Sequence, residues 1–214
     1  MSRTTGKTDS ERQLQELLDR QAIHELIALY CRGLDRVDEA TLRSIYHDDA
    51  IEDRGAGIFI GSAQEWVTWT MSVLPVFTMT QHCILNCLID LEGDVAHGET
   101  YFQAYHRFGA AEQQDEVMNG HADGNDALRF ANVPETDLTW PEGETEMILA
   151  GRYLDRLERR NGVWKIAYRK MICDWCRTQP VADVWFQTNP TAYRGRRGIA
   201  DSRLDSALHH RARF

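Results

Sequence analysis

The sequence predicts an α+β fold in which N-terminal helices pack on a strongly curved, mostly antiparallel sheet. Two observations carry this expectation. Apolar residues recur at helical spacing through the first third of the chain, and from about Thr78 the period becomes strand-like, with β-branched and aromatic residues grouped between turn signals. Helices followed by a run of strands place the helices on one face of the sheet. A length of 214 residues suits one domain, 1–214, with a substantial core.

The elements come in order along the chain. Residues 1–9 are polar and are expected to be a flexible N-terminus. Ser10-Glu11-Arg12-Gln13 has the S-x-x-Q form of a capping box, and Leu14, Leu17, Leu18, Ile23, Leu26, Ile27, Tyr30 and Leu34 continue at helical spacing to about Asp35. A short helix is expected over Asp38 to Tyr46, with Leu42 and Ile45 inward. Ser62-Ala63-Gln64-Glu65 is a second capping box, and Trp66, Trp69, Val73 and Leu74 form the apolar face behind it. Four strands are expected: Thr80 to Leu91, Ala96 to Phe108, Met147 to Arg159, and Val163 to Trp175. Glu92-Gly93-Asp94 turns the first pair, and Arg160-Asn161-Gly162 the second, its Asn-Gly suiting a type I′ turn.

The connection 109–146 is rich in Asp, Glu, Gly, Asn and Pro, yet Phe130, Leu138 and Trp140 give it something to bury, so it is expected to be a lid-like loop. Residues 177–214 carry seven arginines with Trp185, Phe186 and Tyr193, the composition of an arm that docks on a neighbouring subunit. A net charge of -9 and a pI near 5.4 argue against nucleic acid as a partner. No apolar run reaches the roughly 18 residues of a membrane span. Five cysteines and an N-terminus without an apolar signal core suit a reducing, cytoplasmic setting.

Asp35 and His82 are the residues on which chemistry would rest. A carboxylate behind an imidazole orients it and balances the charge it acquires as a base. The alternative is a packed histidine and a helix-end acid. Tyr30 precedes Asp35 by five residues, about 140° around a continuous helix, so it would need an unwound helix end to reach the same pocket. Arg169, on a strand face with Lys165, Ala167 and Met171, would bind either an anionic oxygen of a substrate or a structural carboxylate. Asn86 shares strand parity with His82. Tyr101, Tyr105 and His106 are further pocket candidates, and Trp66 and Trp69 would be either core or platforms for an aromatic substrate. Cys173 and Cys176, three apart on a strand, face opposite sides and lack a second ligand pair, so no metal is expected there.

Several stretches together resemble the SnoaL-like group of the NTF2-like superfamily: Leu17-Leu18-Asp19-Arg20-Gln21-Ala22-Ile23, Gly33-Leu34-Asp35, Asp48-Asp49-Ala50, Thr80-Gln81-His82, and Tyr153-Leu154-Asp155-Arg156-Leu157-Glu158-Arg159-Arg160-Asn161-Gly162-Val163-Trp164-Lys165-Ile166. The resemblance implies a cone-shaped α+β barrel, a homo-oligomer such as a dimer or trimer, and a pocket for a small aromatic substrate. In its dehydratase and dehydrochlorinase branches the Gly-x-Asp acid and the Thr-x-His histidine form the catalytic dyad, roles that would fall to Asp35 and His82. The resemblance also places Arg169 beside the leaving group. It puts Tyr30 where the dehydrochlorinase has lysine, a departure that weighs against chloride elimination. A second dehydratase histidine would fall near Tyr105 or His106. The resemblance thus implies a lyase without metal or organic cofactor, eliminating water or a small fragment, such as formaldehyde from a lignin-derived diaryl propane diol. The same fold also hosts double-bond isomerases, polyketide cyclases and non-catalytic dioxygenase small subunits.

Overall fold

The computed structural model describes residues 8–109, 143–192, 195 and 197. Helices α1 (Asp9–Arg36) and α2 (Glu39–Ser44) come first, then strands β1 (Tyr46–Asp53) and β2 (Ile60–Ser62). Helix α3 (Ala63–Val73) runs into a 3-10 turn, Leu74–Val76. Strands β3 (Phe77–Glu92), β4 (Val95–Phe108), β5 (Thr145–Arg160) and β6 (Val163–Pro180) come next, with the short helix α4 (Trp185–Thr188) after them. One curled sheet has the order β2-β1-β6-β5-β4-β3, antiparallel except for the β1–β6 pair.

The helices begin where backbone donors find side-chain acceptors. Helix α1 is capped by Thr8 and Glu11, two residues earlier than the Ser10 box, so the helix takes in Asp9, which the sequence assigns to a flexible end. Asp38 caps α2, which is shorter than expected, and Ser62 with Glu65 caps α3 as expected. Leu14, Leu17 and Leu18 are exposed rather than part of the core. From Asp19 onward the helix is anchored: the Asp19 carboxylate accepts from Trp164 Nε1 at 2.9 Å and from Arg159 Nη1 at 2.7 Å. Gly33 lets α2 close on α1, since a Cβ there would lie 2.7 Å from Leu42 Cγ.

Strands β1 and β2 are additions to the four expected, and β1 has an inverted pattern. Ala50, Glu52 and Arg54 point inward while Ile51 is exposed. The long strands match expectation to within a few residues at most boundaries; β6 runs on to Pro180. Asn161 and Gly162 both adopt positive φ in the β5–β6 turn, as a type I′ loop requires. The lid-like loop lies outside the described residues except at its two ends, where 145 and 146 belong to β5. The C-terminal arm returns to its own chain at Arg197, whose Nη1 donates to Leu74 O and Phe77 O. No helix among the described residues is long and apolar enough to cross a membrane.

The core holds charge as well as hydrocarbon. Arg169 and Asp155 face each other across β5 and β6, both side chains fully buried, through two parallel bonds of 2.7 Å. The Arg169 guanidinium also lies over the rings of Tyr30 and Tyr153, at 4.2 and 4.4 Å. Removing one member strands the other charge in the interior, whereas replacing both with apolar residues does not. Arg169→Met should therefore lower urea-unfolding stability by about 3–5 kcal/mol, and adding Asp155→Leu should recover most of that loss.

Candidate active site

Strand β3 is an edge of the sheet, and α1 ends alongside it. An edge strand leaves backbone N–H groups without a strand partner, and Asp35 fills one of them. Its Oδ2 accepts from the His82 backbone N–H at 2.9 Å, and its Oδ1 accepts from His82 Nδ1 at 2.8 Å. One carboxylate thus fixes both the main chain and the ring of the same residue. With Nδ1 donating to Asp35, Nε2 is the basic nitrogen. The side chains of His82 and Asp35 are only 7% and 13% exposed, so water competes little for this contact.

His82 separates two hollows. On the outer side, Ala28, Cys31, Arg32, Asp35, Arg36 and Ile84 border an open one of about 340 Å³. On the inner side it joins the wall of a partly open, largely apolar cavity of about 60 Å³, between the helices and the concave face of the sheet. Leu34 and Tyr30 of α1, Trp66, Trp69 and Thr70 of α3, Phe102 and His106 of β4, Tyr153 of β5, and Arg54 complete most of that wall. The inner cavity is the smaller of the two, but it has the dry walls and convergent polar groups that acid–base chemistry needs.

Opposite the apolar walls stands a buried polar cluster. Arg54 Nη2 donates to the Tyr30 hydroxyl, and lies 2.5 Å from Glu52 Oε1. Glu52 Oε2 accepts from the Tyr46 hydroxyl at 2.9 Å. The Glu52 Oε1 contact is close in distance but lacks hydrogen-bond geometry, so we read it as an ion pair. Burial raises the Tyr30 phenol above its ordinary value and Arg54 only partly offsets this, so Tyr30 keeps its proton at neutral pH. Burial likewise raises the Glu52 carboxyl, against the pull of Arg54. His106 stands 5.3 Å from the His82 ring, edge to face, and burial holds it well below its usual value, with His82 adding to the effect.

A family model for the SnoaL-like domain matches residues 15–170. The chain belongs to the SnoaL-like family. Among solved structures, the hexachlorocyclohexane dehydrochlorinase LinA Type2 superposes with a TM-score of 0.59 at 21% identity, covering 80% of this chain and 97% of its own. A scytalone dehydratase candidate from Novosphingobium aromaticivorans gives 0.54 at 18% identity, covering 86% and 95%. A candidate aromatic ring hydroxylase from the same organism gives 0.56 at 18%, covering 76% and 94%. At these identities the likeness is one of fold. No curated protein sequence matches significantly.

Within this SnoaL-like chain the expected site residues divide. Asp35 and His82 meet, and Tyr30, His106, Trp66 and Trp69 line the inner cavity. Helix α1 stays regular to Arg36, so Tyr30 needs no unwinding: the 140° between it and Asp35 sets the two on either side of His82. Asn86 does not share the face of His82. A bulge between Ile84 and Cys87 switches the inward set of β3 from even to odd positions, leaving Asn86 exposed. Tyr101 and Tyr105 alternate outward from Phe102, Ala104 and His106; Tyr105 donates to Glu146 at 3.0 Å. Arg169 is not in the cavity wall but is held by Asp155, and a register shift near Ala167 gives it the interior face of Trp164 and Ile166 rather than that of Lys165. Cys173 and Cys176 are exposed near the end of β6. Sequence reasoning misses Arg54, Thr70 and Tyr153 as wall residues; for Arg54 the available signal is its even spacing with Ala50 and Glu52.

His106 offers a test of this electrostatic picture. A histidine whose folded-state pKa is depressed binds its proton more readily unfolded, so it favours the native state above pH 6.5 and lowers stability as pH falls below that value. The slope from one such group reaches about 1.4 kcal/mol per pH unit. Urea unfolding between pH 7.5 and 5.5 should show this loss, and His106→Phe should flatten it.

Proposed function

We propose that this protein is a lyase of the dehydratase type, acting by acid–base chemistry without metal or organic cofactor on a small hydroxylated aromatic compound. The Asp35–His82 contact carries the reading. With Nδ1 held by a carboxylate, Nε2 removes a proton from the carbon next to the one that bears the leaving oxygen. That electron pair becomes the new double bond while the C–O bond breaks. Asp35 balances the imidazolium that forms, and its two-point hold on His82 keeps the ring from turning away. The Tyr30 hydroxyl accepts from Arg54, which leaves its own proton free to hold a second oxygen of the substrate. The proton taken up by His82 passes to the departing oxygen, which leaves as water, and His82 is again the neutral base.

The SnoaL-like family and the names of structural neighbours, a dehydrochlorinase and a dehydratase candidate, support elimination as the reaction type. The walls support an aromatic guest, since Trp66, Trp69, Phe102 and Tyr153 line the cavity. Its volume of about 60 Å³ is smaller than one ring needs, since a cavity that holds benzene measures about 150 Å³, so an aromatic guest must displace wall side chains or reach into the mouth. A two-ring diol that loses formaldehyde would have to extend through the mouth.

Screening phenolic alcohols and diols for a dehydrated product or released formaldehyde should identify a substrate. On that substrate His82→Ala should lower kcat by on the order of a hundredfold with an unchanged circular dichroism spectrum. Asp35→Asn should lower kcat more than it alters KM. Wild-type turnover by the His82 variant would refute the role of base; an effect of Asp35→Asn on KM alone would make Asp35 a binding residue.

A further inference from the structure

We infer that the end of the cavity formed by Arg54 and Tyr30 is an oxyanion subsite, so that the substrate presents there a phenolic or enolisable carbonyl oxygen that carries negative charge during the reaction. This rests on the reading of His82 as base, and it deepens that reading by naming what lies at the other end of the substrate.

Three observations converge on it. Arg54 is a cavity-lining guanidinium whose side chain is 94% buried, taking the complement of its 6% exposure. Its donors are poorly spent: Nε has no partner among the described residues, and Nη1 faces only the thioether of Met171, at 2.6 Å. Sulfur is a weak acceptor, and a buried charged donor left with one is costly unless an oxygen can take its place. Tyr30 spends its acceptor on Arg54 and so keeps its O–H for a ligand. Thr70 Oγ1, in the same wall, is also buried and without a partner among the described residues. Native interiors hold few such groups, and a cluster of them around one cavity marks where a polar ligand atom fits.

Charge sets the preference for an anion. Glu52 is the carboxylate paired with Arg54, and its burial works against ionisation. Arg169 lies over the Tyr30 ring and adds a second positive field from behind, itself balanced by Asp155. The guanidinium of Arg54 is held against Trp66, 4.1 Å from the ring, so its hydrogen-bonding edge is fixed before a ligand arrives. Preorganised donors of this kind stabilise charge that develops on an oxygen. A chlorinated alkane offers no such oxygen, so the subsite selects phenols and carbonyl compounds over haloalkanes.

The test uses 4-nitrophenol, whose ionisation is read by absorbance. Titrated into the intact protein across pH, the bound probe should ionise at lower pH than the free probe, with phenolate bound about tenfold or more tighter than phenol. That preference should persist in His82→Ala, which separates it from a protonated histidine. It should be lost in Arg54→Gln and restored in part by Arg54→Lys. A preference of the wild-type protein for the neutral phenol, no binding of the phenolate, or an anion preference that vanishes with His82 would overturn the subsite. The wild-type titration decides alone, whether or not the Arg54 variants fold. A failed subsite with an inactive His82→Ala would leave the base in place, and the opposite pair of results would leave the subsite without it.

Discussion

The structure turns on a side chain that does two jobs at an unpaired strand edge. Asp35 ends a helix whose course is set by Asp19 at its other anchor and by Gly33 close to α2. Arriving at β3, it satisfies a main-chain donor that no neighbouring strand can reach and at the same time holds the imidazole of that residue. The structural need and the chemical opportunity coincide: the bond that fastens α1 to the sheet also fixes which ring nitrogen is basic. A shift of either element would break both.

Behind this contact the cavity is framed by buried charge. Arg54, Arg169, Glu52 and Asp155 lie in the interior where an apolar core would be simpler. Arg169 and Asp155 satisfy each other through paired short bonds, which makes them a structural unit beneath Tyr30. Arg54 and Glu52 are less completely matched, and Arg54 is the member of the pair that lines the cavity. Burying charge at this cost is a common mark of a site kept for function rather than for stability.

Much of the architecture is legible in residue order. The Ser62–Glu65 cap, the Asn161-Gly162 turn and the two-residue periods of β4 and β5 each come from local rules that tertiary contacts do not override. Strand β1 escapes such rules because Glu52, and Arg54 just past its end, point inward while Ile51 faces out, reversing the usual sign of the pattern. Asn86 is misplaced by parity counting, which assumes an unbroken ladder and cannot foresee a bulge. At the N-terminus the Ser10 pattern misplaces the helix start, because the box on Thr8 and Glu11 caps it two residues earlier. The need of a buried Arg169 for an anion is visible in its strand context; that the anion is Asp155 comes from register, which spacing does not reveal.

The chemistry proposed above depends on a spatial arrangement: the basic nitrogen of His82 faces the reacting atoms, while the oxygen at the far end meets Tyr30. A crystal structure of the protein soaked with 4-nitrophenol examines this arrangement directly. The ring should lie in the inner cavity, its phenolic oxygen within hydrogen-bond distance of Tyr30 Oη or the Arg54 guanidinium, and His82 Nε2 should turn toward the ring with Nδ1 still on Asp35. A ligand seated in the outer hollow beside Arg32 and Arg36, or an inner ligand with its oxygen turned away from Arg54 and Tyr30, would contradict it.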